Sequence, residues 1–416
     1  MEPLSNDATV IVVGASLAGW RATETLRAEG FEGTIKLVGD ELHLPYDRPP
    51  LSKQVLAGTW APERVVLADR HRSSELRIHE VLGQRAVRLD VESRTVEIAD
   101  GTTVSGDAVI VATGAQPRHL PGTEGLGRGD GLFTLRTIDD ALALRAAITA
   151  KDRASVVVIG AGFIGAEVAS TAASIGAQVT VLEAMEIPLA NVLGPEIGAH
   201  CASLHAANGV DLRTGTGVAG IARRESGGLA VTLSDGEVVG ADVVVVGIGV
   251  SPNVEWLEDS GLTLDNGVVC DERLFAAEGV VAAGDIARWN WRHDGGQELI
   301  RIEHWQVAAE AGVAAARSVL SGHHEAAAFT PIPYFWSDQF GIRFQVLGNP
   351  GGTDDVEVVD GSFEEGKFLA LFGRAGRLRA VMAIGKPRQL MGLRPHLEAG
   401  ASFDEALSVA KAAAPS

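Results

Sequence analysis

Apolar runs end in glycine-rich turns at two places in the chain. Residues 9–13 lead into the turn at 14–19, and residues 155–159 lead into the turn at 160–165. An apolar run followed by a glycine-rich turn and a helical stretch predicts a dinucleotide-binding β-α unit. Its glycines let the backbone approach a pyrophosphate, which rests on the helix N-terminus. Two such units in one chain predict two dinucleotides, and hence a flavin that is reduced by a nicotinamide.

The elements that follow each turn repeat in the same order. Alternating residues around Asp100-Gly101 predict a β-hairpin, and an apolar run at 107–114 follows it. In the second half, a hairpin around Asp235-Gly236 precedes the apolar run at 242–249. The repeat predicts an α/β fold with two doubly wound dinucleotide-binding domains, one inserted in the other.

The remainder of the chain completes this plan. Residues 279–285 form another apolar run that ends in Gly284-Asp285, and a helical stretch from Val307 to about Leu320 follows. From about residue 326, aromatic and aliphatic residues alternate, which predicts a small strand-rich C-terminal α+β domain. We therefore expect a discontinuous flavin domain at 1–115 and 250–325, a nicotinamide domain at 116–249 and a C-terminal domain at 326–416.

Carboxylates stand where a dinucleotide-binding fold needs them to bind a ribose. Asp40 and Glu41 follow the strand after the first turn, roughly 20 residues further on, as is usual for a ribose ligand. Glu183 ends the corresponding strand after the second turn, and residues 184–199 contain no Lys or Arg to hold a 2′-phosphate. A 2′-phosphate would meet like charge at Glu183. The sequence therefore predicts a preference for NADH.

Composition narrows the choice of partners and compartment. The chain has 416 residues, 46% of them hydrophobic, and a formal net charge of −19, which disfavours nucleic acids and anionic membranes because both are polyanions. Residues 1–7 lack the features of a secretory signal, and the apolar runs are too short to span a bilayer, so a cytoplasmic protein is expected. Cys201 and Cys270 lie far apart, and we expect them in the core, with no metal site.

Several short motifs, in a fixed order, resemble the FAD-dependent ferredoxin reductases of oxygenase systems, the putidaredoxin reductase and biphenyl dioxygenase ferredoxin reductase family. The most specific one is the proline-rich segment 45–53. The motifs are Pro45-Tyr46-Asp47-Arg48-Pro49-Pro50-Leu51-Ser52-Lys53, Ala112-Thr113-Gly114, Leu135-Arg136-Thr137, Gly247-Ile248-Gly249, Gly284-Asp285, Ile302-Glu303-His304-Trp305 and Phe335-Trp336-Ser337-Asp338-Gln339.

The resemblance implies a glutathione-reductase-like arrangement of domains and a set of cofactor contacts. Lys53 resembles the family lysine beside flavin N5, and Glu167 matches the glutamate that pairs with it on the nicotinamide side, so the resemblance implies that these two residues are catalytic. The expected FAD contacts are Gly14, Ser16, Ala18, Gly19, Asp40, Glu41, Arg48, Lys53, Ala86, Ala112, Thr113, Gly114, Arg136, Gly284, Asp285 and Trp305. The expected NADH contacts are Gly160, Gly162, Ile164, Gly165, Glu183 and Gly249.

The implied reaction is hydride transfer from NADH to FAD, followed by single-electron transfer to a two-iron two-sulfur ferredoxin that serves a haem monooxygenase or a Rieske-type dioxygenase. The flavin performs this chemistry, and the protein orients it. The ferredoxin partner is expected to be acidic. Residues 288–293, an aromatic and basic loop, suggest a docking surface built on Arg288, Arg292 and Arg301; tryptophans packed in the core are the alternative. Both a monomer and a homodimer are compatible with the sequence.

Three other functions fit parts of the pattern. A disulfide reductase shares the architecture but needs a redox-active pair of neighbouring cysteines. Cys201 and Cys270 lack the sequence spacing of such a pair. NADH oxidases and nitrite-reductase flavoproteins share both turns. Such oxidases usually use a cysteine near residue 40, and residues 39–43 of this chain contain no cysteine. A non-catalytic flavoprotein of the apoptosis-inducing-factor kind would need a targeting segment or a basic surface.

Overall fold

The structure, a computed structural model, describes residues 2–293 and 296–413. The chain forms two compact units. Unit 1 comprises Met1–Asp47, Val65–Gln116 and Ser251–Tyr334, and unit 2 comprises Arg48–Arg64, Pro117–Val250 and Phe335–Ser416. Residues 1, 294, 295 and 414–416, which the predicted domains include, lie outside the described residues.

The β-strands are short, and most belong to parallel sheets or to hairpins. They are β1 (Thr9–Val13), β2 (Thr34–Gly39), β3 (Ile78–Leu82), β4 (Ala86–Asp90), β5 (Thr95–Ile98), β6 (Thr103–Ser105), β7 (Ala108–Val111), β8 (Ala115–Pro117), β9 (Leu132–Phe133), β10 (Ser155–Ile159), β11 (Gln178–Leu182), β12 (Asp211–Arg213), β13 (Val218–Arg223), β14 (Leu229–Leu233), β15 (Val238–Ala241), β16 (Val243–Val246), β17 (Val250–Pro252), β18 (Val268–Cys270), β19 (Phe275–Ala277), β20 (Val280–Ala282), β21 (Ala287–His293), β22 (Gly296–Ile300), β23 (Tyr334–Gln339), β24 (Ile342–Gly348), β25 (Asp355–Ser362), β26 (Lys367–Arg374) and β27 (Arg377–Ile384).

The α-helices separate the first strands of each parallel sheet, and three short helices follow the last strand of the chain. They are α1 (Leu17–Ala28), α2 (Gln54–Ala57), α3 (Arg70–Glu75), α4 (Ile138–Thr149), α5 (Phe163–Ser174), α6 (Ala190–Leu193), α7 (Pro195–Ala207), α8 (Trp305–Glu325), α9 (Pro387–Gly392), α10 (Arg394–Glu398) and α11 (Phe403–Ala413).

Unit 1 is organised around a six-stranded sheet of order β19-β20-β7-β1-β2-β3, in which every pair except β19–β20 is parallel. The strand β7 and all of β1 after Thr9 are apolar and buried, as expected of strands with both faces covered. Helices α1 and α8 pack closely, because Gly312 brings its backbone against the Ala18 carbonyl and a built Cβ would lie 2.2 Å from that oxygen. The helical conformation of α8 breaks at Gly322, near the predicted end.

Unit 2 contains a parallel sheet of order β12-β11-β10-β16-β9, which repeats the order β3-β2-β1-β7-β20 of unit 1. An antiparallel three-stranded sheet follows the central helix in each unit: β4-β5-β6 in unit 1 and β13-β14-β15 in unit 2. Both Asp-Gly turns close these hairpins as predicted, since Asp100 and Asp235 accept the backbone N–H groups of Thr102 and Glu237. The doubly wound α/β repeat is therefore confirmed.

The last third of unit 2 carries the predicted strand-rich region. Its sheet has the order β23-β24-β27-β26-β25, and α9 to α11 follow it. The buried residues Phe344, Phe368 and Phe372 of this sheet share one apolar cluster with Ile197 and Cys201 of α7. Burial of such large side chains stabilises the sheet by roughly 1.5–3 kcal/mol for each.

The interpretation of residues 288–293 as a loop is wrong. They belong to β21, which pairs with β18 and β22. Trp289 and Trp291 are both 1% exposed, and their indole N–H groups donate to the carbonyls of Phe329 and Pro331 at 3.2 and 3.1 Å. The tryptophans therefore belong to the core of unit 1, the alternative that the sequence left open.

Among the helices of the described residues, none is both long enough and apolar enough to cross a membrane.

Candidate functional site

The first glycine turn links the carboxyl end of β1 to α1 in unit 1. Gly14 has a φ of +120°, and a Cβ built on it would lie 2.1 Å from the Ala112 carbonyl oxygen. A Cβ on Gly19 would lie 1.9 Å from the Gly14 carbonyl oxygen, so this glycine lets the helix approach the turn. Ser16 is the N-cap of α1, and Ala18 lies in its first turn. These features fit a pyrophosphate on the helix N-terminus.

The second turn, in unit 2, has the same geometry. Gly160 has a φ of +99°, and its Cβ would lie 2.5 Å from the Gly247 carbonyl oxygen; a Cβ on Gly165 would lie 2.0 Å from the Gly160 carbonyl oxygen. A Cβ on Gly162 meets no atom within 4 Å. The backbone therefore faces open space at the N-cap of α5, as a bound pyrophosphate requires. Ile164, in the first turn of α5, is 52% exposed beside it.

The carboxylates after β2 differ in their surroundings. Asp40 is exposed directly after the strand, whereas Glu41 accepts a hydrogen bond from the Tyr46 hydroxyl. Asp40 therefore offers the more accessible carboxylate at this end of the sheet.

Glu183 is held at the end of β11 by two backbone donors. Its Oε2 accepts the Ala161 N–H at 2.7 Å, and its Oε1 accepts the Met185 N–H at 2.8 Å. A carboxylate oxygen has two acceptor sites, so both oxygens retain capacity for ribose hydroxyls. The contact with Ala161 ties the carboxylate to the glycine turn, which fits the adenosine half of a dinucleotide.

Arg213, which no sequence motif marks, pairs with Leu182 across β11 and β12. Its guanidinium binds Asp211 at 2.9 Å and Glu237 at 2.8 Å. Hydrogen bonds to Glu237 and Asp211 raise the pKa of Arg213 and engage its Nε and one terminal nitrogen. The positive charge of Arg213 is thus already paired with two carboxylates.

Lys53 and Glu167 form a buried ion pair in unit 2. Lys53 Nζ lies 2.6 Å from Glu167 Oε2 and also donates to the Pro49 carbonyl at 3.0 Å. Glu167, on α5, is 3% exposed, and the Lys53 side chain is 12% exposed. Lys53 directly follows Pro49–Ser52, which form a 3₁₀ helix and not a loop. The two prolines occupy the first positions of this helix, where their fixed φ is favourable. The structure thus brings together the two residues predicted to be catalytic.

Trp305 begins α8 in unit 1, and its indole N–H donates to Asp47 Oδ1 at 2.8 Å. Burial raises the pKa of Asp47, while the hydrogen bond from Trp305 opposes that rise. The Asp47 backbone N–H donates to the Val65 carbonyl, which fixes the end of the segment. Asp47 therefore orients the indole that the sequence predicts near the flavin.

The other predicted flavin contacts of unit 1 lie at strand ends. Thr113 donates its hydroxyl hydrogen to the Asn253 carbonyl at 3.2 Å, and the Asn253 side-chain amide donates to the Thr113 carbonyl at 2.8 Å. Asp285 lies in the 3₁₀ turn Gly284–Ile286, and its carbonyl accepts from Arg301. Of the remaining predicted contacts, Ala112 and Gly114 follow β7, Ala86 begins β4, and Gly284 follows β20.

Two further predicted contacts meet each other in unit 2. Arg48 donates to the Arg136 carbonyl at 2.6 Å, and the Arg136 N–H is accepted by Asp140, the carboxylate that also caps α4. Gly249 is exposed, with a φ of +92° and no atom near its built Cβ. These positions are compatible with ligand contacts.

The predicted docking arginines are paired within unit 1. Arg288 forms an ion pair with Asp265, and Arg301 lies 2.7 Å from Glu303 with its side chain only 8% exposed. Arg292 binds Glu272 at 2.9 Å, but its side chain is 57% exposed. Arg288 and Arg301 are thus poor docking cations, because neighbouring carboxylates neutralise them and most of each side chain is covered. Arg292 remains accessible.

Within the described residues, no group of three or more His, Cys, Asp or Glu side chains could hold a metal ion. Both cysteines are buried and form no disulfide. Burial raises the pKa of the Cys201 thiol to about 12 and also raises that of Cys270. Since the thiolate is the reactive form, both are inert at neutral pH.

Comparison with known families matches most of the chain. The model of the family described as pyridine nucleotide-disulphide oxidoreductase matches residues 8–312, and a second model, reductase C-terminal, matches residues 334–414.

Individual relatives match along nearly the full length. Rhodocoxin reductase of Rhodococcus erythropolis is 37% identical, over 97% of this chain and 95% of its own. The ferredoxin reductase component of a chlorobenzene dioxygenase from a Cupriavidus species is 38% identical, over 95% and 94%. A solved covalent putidaredoxin reductase–putidaredoxin complex superposes with a TM-score of 0.90 at 32% identity, covering 98% of both chains.

We expect both thiols to resist a disulfide reagent in the native protein and to react after unfolding. Burial keeps each thiol protonated at pH 8, well below the pKa of about 12 for Cys201. Titration with 5,5′-dithiobis(2-nitrobenzoate) should release no chromophore within minutes under native conditions and two equivalents in denaturant, one per cysteine. Rapid reaction of one native thiol would contradict the buried assignment.

Proposed function

The chain belongs to the pyridine nucleotide-disulphide oxidoreductase family, and from that premise we propose that it is an FAD-dependent NADH:ferredoxin reductase. The observation that carries the proposal is the pair of glycine turns, each with backbone packed against backbone at the end of a parallel sheet. Several relatives are named as ferredoxin reductase components of dioxygenase systems, which supports a ferredoxin as the electron acceptor and an oxygenase as its consumer.

When bound, FAD takes a hydride from NADH and releases its electrons singly. In unit 1, the Gly14 turn would hold the FAD pyrophosphate and Asp40 the ribose, with Asp285 on the ribityl chain. In unit 2, the Gly160 turn and Glu183 would hold NADH. The remaining predicted contacts named above belong to the same proposal.

We propose Lys53 and Glu167 as the catalytic pair. Their ion pair keeps the ammonium of Lys53 oriented, and burial limits competition from water. Lys53 would present this charge to the reacting end of the flavin, and Glu167 would face the nicotinamide. Trp305, held by Asp47, would cover the ring system.

The same premise extends to domains and location. We propose that 1–115 and 250–325 bind FAD, 116–249 bind NADH and 326–416 form a C-terminal domain; the family models at 8–312 and 334–414 support a division near residue 326. We also propose a cytoplasmic location, because NADH is available there.

The proposal is tested with the purified protein. It should be yellow, release its FAD on acid precipitation, bleach with NADH under anaerobic conditions, and reduce cytochrome c only when a two-iron two-sulfur ferredoxin is added. Rapid oxygen consumption with NADH alone would instead favour the NADH oxidase alternative. Absence of NADH-dependent bleaching would overturn the proposal.

Glu183 should set the cofactor preference. Binding of NADPH should cost about 1–3 kcal/mol more than binding of NADH, because Glu183 repels the 2′-phosphate and loses hydrogen bonds to the ribose. The value of kcat/KM should therefore favour NADH by roughly tenfold to a few hundredfold. Glu183→Ala combined with Ile187→Arg should narrow the ratio. The isosteric control Glu183→Gln keeps an acceptor and removes the charge, so its ratio of kcat/KM for NADH to NADPH should lie between those of the wild type and the double variant. Equal kcat/KM for both cofactors in the wild type would contradict the assignment.

Arg292 should contribute to ferredoxin docking. Because the exposed guanidinium attracts an acidic partner, Arg292→Glu should raise KM for ferredoxin several-fold and leave NADH-to-ferricyanide turnover unchanged. The effect should fade with salt, since the Debye length shrinks from ~10 Å at 0.1 M to ~3 Å at 1 M. Arg317→Glu, at an exposed and paired arginine of the same unit, is the control. An equal effect in both variants would show nonspecific charge repulsion instead of docking.

A further inference from the structure

Glu167 receives more hydrogen bonds than its pairing with Lys53 requires. Its Oε2 accepts from Lys53 Nζ and from the Ser52 hydroxyl, each at 2.6 Å. Its Oε1 accepts from the Ser337 hydroxyl at 2.6 Å and from the Asp338 N–H at 3.3 Å. All four contacts lie within unit 2. Both carboxylate oxygens are therefore constrained.

The direction of the Ser337 hydroxyl is set by a further residue. Gln339 Nε2 donates to Ser337 Oγ at 3.0 Å, so the serine oxygen acts as acceptor there and its hydrogen points to Glu167. Ser337 and Gln339 are 0% and 1% exposed, both on β23. In a buried site, a charge-assisted hydrogen bond is stronger than a neutral one. The strand thus delivers a fixed donor to the carboxylate.

One helix also holds the backbones of both donor segments. On α5, Thr171 donates its hydroxyl hydrogen to the Ser52 carbonyl at 2.8 Å, and Ser170 Oγ accepts the Phe340 N–H at 2.7 Å. The segment before Lys53 and the end of β23 are consequently anchored to the helix that carries Glu167. Neither serine can drift from the carboxylate without breaking a backbone contact.

We propose that Ser337 and Ser52 are positioning residues for the Lys53–Glu167 pair, and that β23 of the C-terminal sheet is thereby part of the hydride-transfer apparatus. This inference rests on the proposed function. Without the Ser337 hydroxyl, Oε1 keeps only the Asp338 N–H, and without the Ser52 hydroxyl, Oε2 keeps only Lys53. In either case Glu167 can rotate away from the position in which it holds Lys53. Neither serine needs to touch a cofactor for this effect.

The test is a double-mutant cycle between Ser337→Ala and Glu167→Gln. The rate of flavin reduction by NADH, measured by anaerobic stopped flow and normalised to bound FAD, should fall about tenfold in Ser337→Ala, with KM for NADH within twofold of wild type. The rate of flavin reduction should fall at least as far in Glu167→Gln. In the Glu167→Gln background, adding Ser337→Ala should lower this rate by less than a further twofold. Additive effects would overturn the inference.

A second readout does not depend on activity. The midpoints of thermal unfolding should be non-additive for the same pair, because the two groups share one interaction. Ser318→Ala is the matched control: its hydroxyl is buried and donates to the Arg273 carbonyl at 2.8 Å, and both residues belong to unit 1. It should lower the midpoint, combine additively with Glu167→Gln and leave flavin reduction unchanged.

Ser52→Ala provides an independent variant should Ser337→Ala fold poorly, since it removes the donor to the other oxygen. It should also slow flavin reduction several-fold and couple to Glu167→Gln. A wild-type protein whose flavin is not reduced by NADH overturns the proposed function and this inference with it. A wild type that is reduced normally, with both serine variants within twofold of it, overturns the inference alone.

Discussion

The close approach of backbone to backbone at the strand ends is the constraint on which the rest of the structure depends. At Gly14 and Gly160 a neighbouring carbonyl occupies the place of a Cβ, and at Gly19 and Gly165 the turn's own carbonyl does. A Cβ at any of these four glycines would collide with backbone atoms, so repacking of side chains cannot relieve the contact. The same geometry leaves the N-terminus of α5 facing open space at Gly162. Packing of the sheet and room for a phosphate thus follow from one set of glycines.

Burial of Glu167 is the second organising feature, and it carries an energetic cost. An ionised carboxylate in a dry site is unfavourable unless charges and donors surround it, and the free energy is recovered only when the geometry is good. Two separate segments of unit 2 provide those donors, the proline-rich segment with Ser52 and Lys53 and the strand β23 with Ser337 and Asp338. Such a network specifies one arrangement more than it adds stability.

Local patterns explain why so much of the fold could be predicted. The glycine turns, the two Asp-Gly hairpins and the break at Gly322 each depend on a few neighbouring residues. The error at 288–293 has a physical source too, since Trp289 and Trp291 alternate with polar residues, the period of a half-buried strand. The alternation predicts a strand, whereas the aromatic and basic composition of the segment favours an exposed binding loop.

The candidate site was predictable only where a motif included it. A family resemblance identifies Lys53 and Glu167, whereas Ser52 and Ser337 lie within the same motifs with no role that the sequence indicates. Their importance comes from contacts between residues far apart in sequence, and no periodicity encodes such contacts. The engagement of Arg213 by Asp211 and Glu237 is invisible for the same reason.

The burial of the paired indoles in β21 has an optical consequence. Trp20, Trp256, Trp289, Trp291 and Trp305 all belong to unit 1, whereas unit 2 holds only Trp60 and Trp336 of the seven tryptophans in the sequence. Trp20, Trp289 and Trp291 are shielded from water at 1% exposure, so their emission lies toward the blue in the folded chain. Intrinsic fluorescence therefore reports mainly on unit 1, whereas circular dichroism reports on the helices and strands of both units.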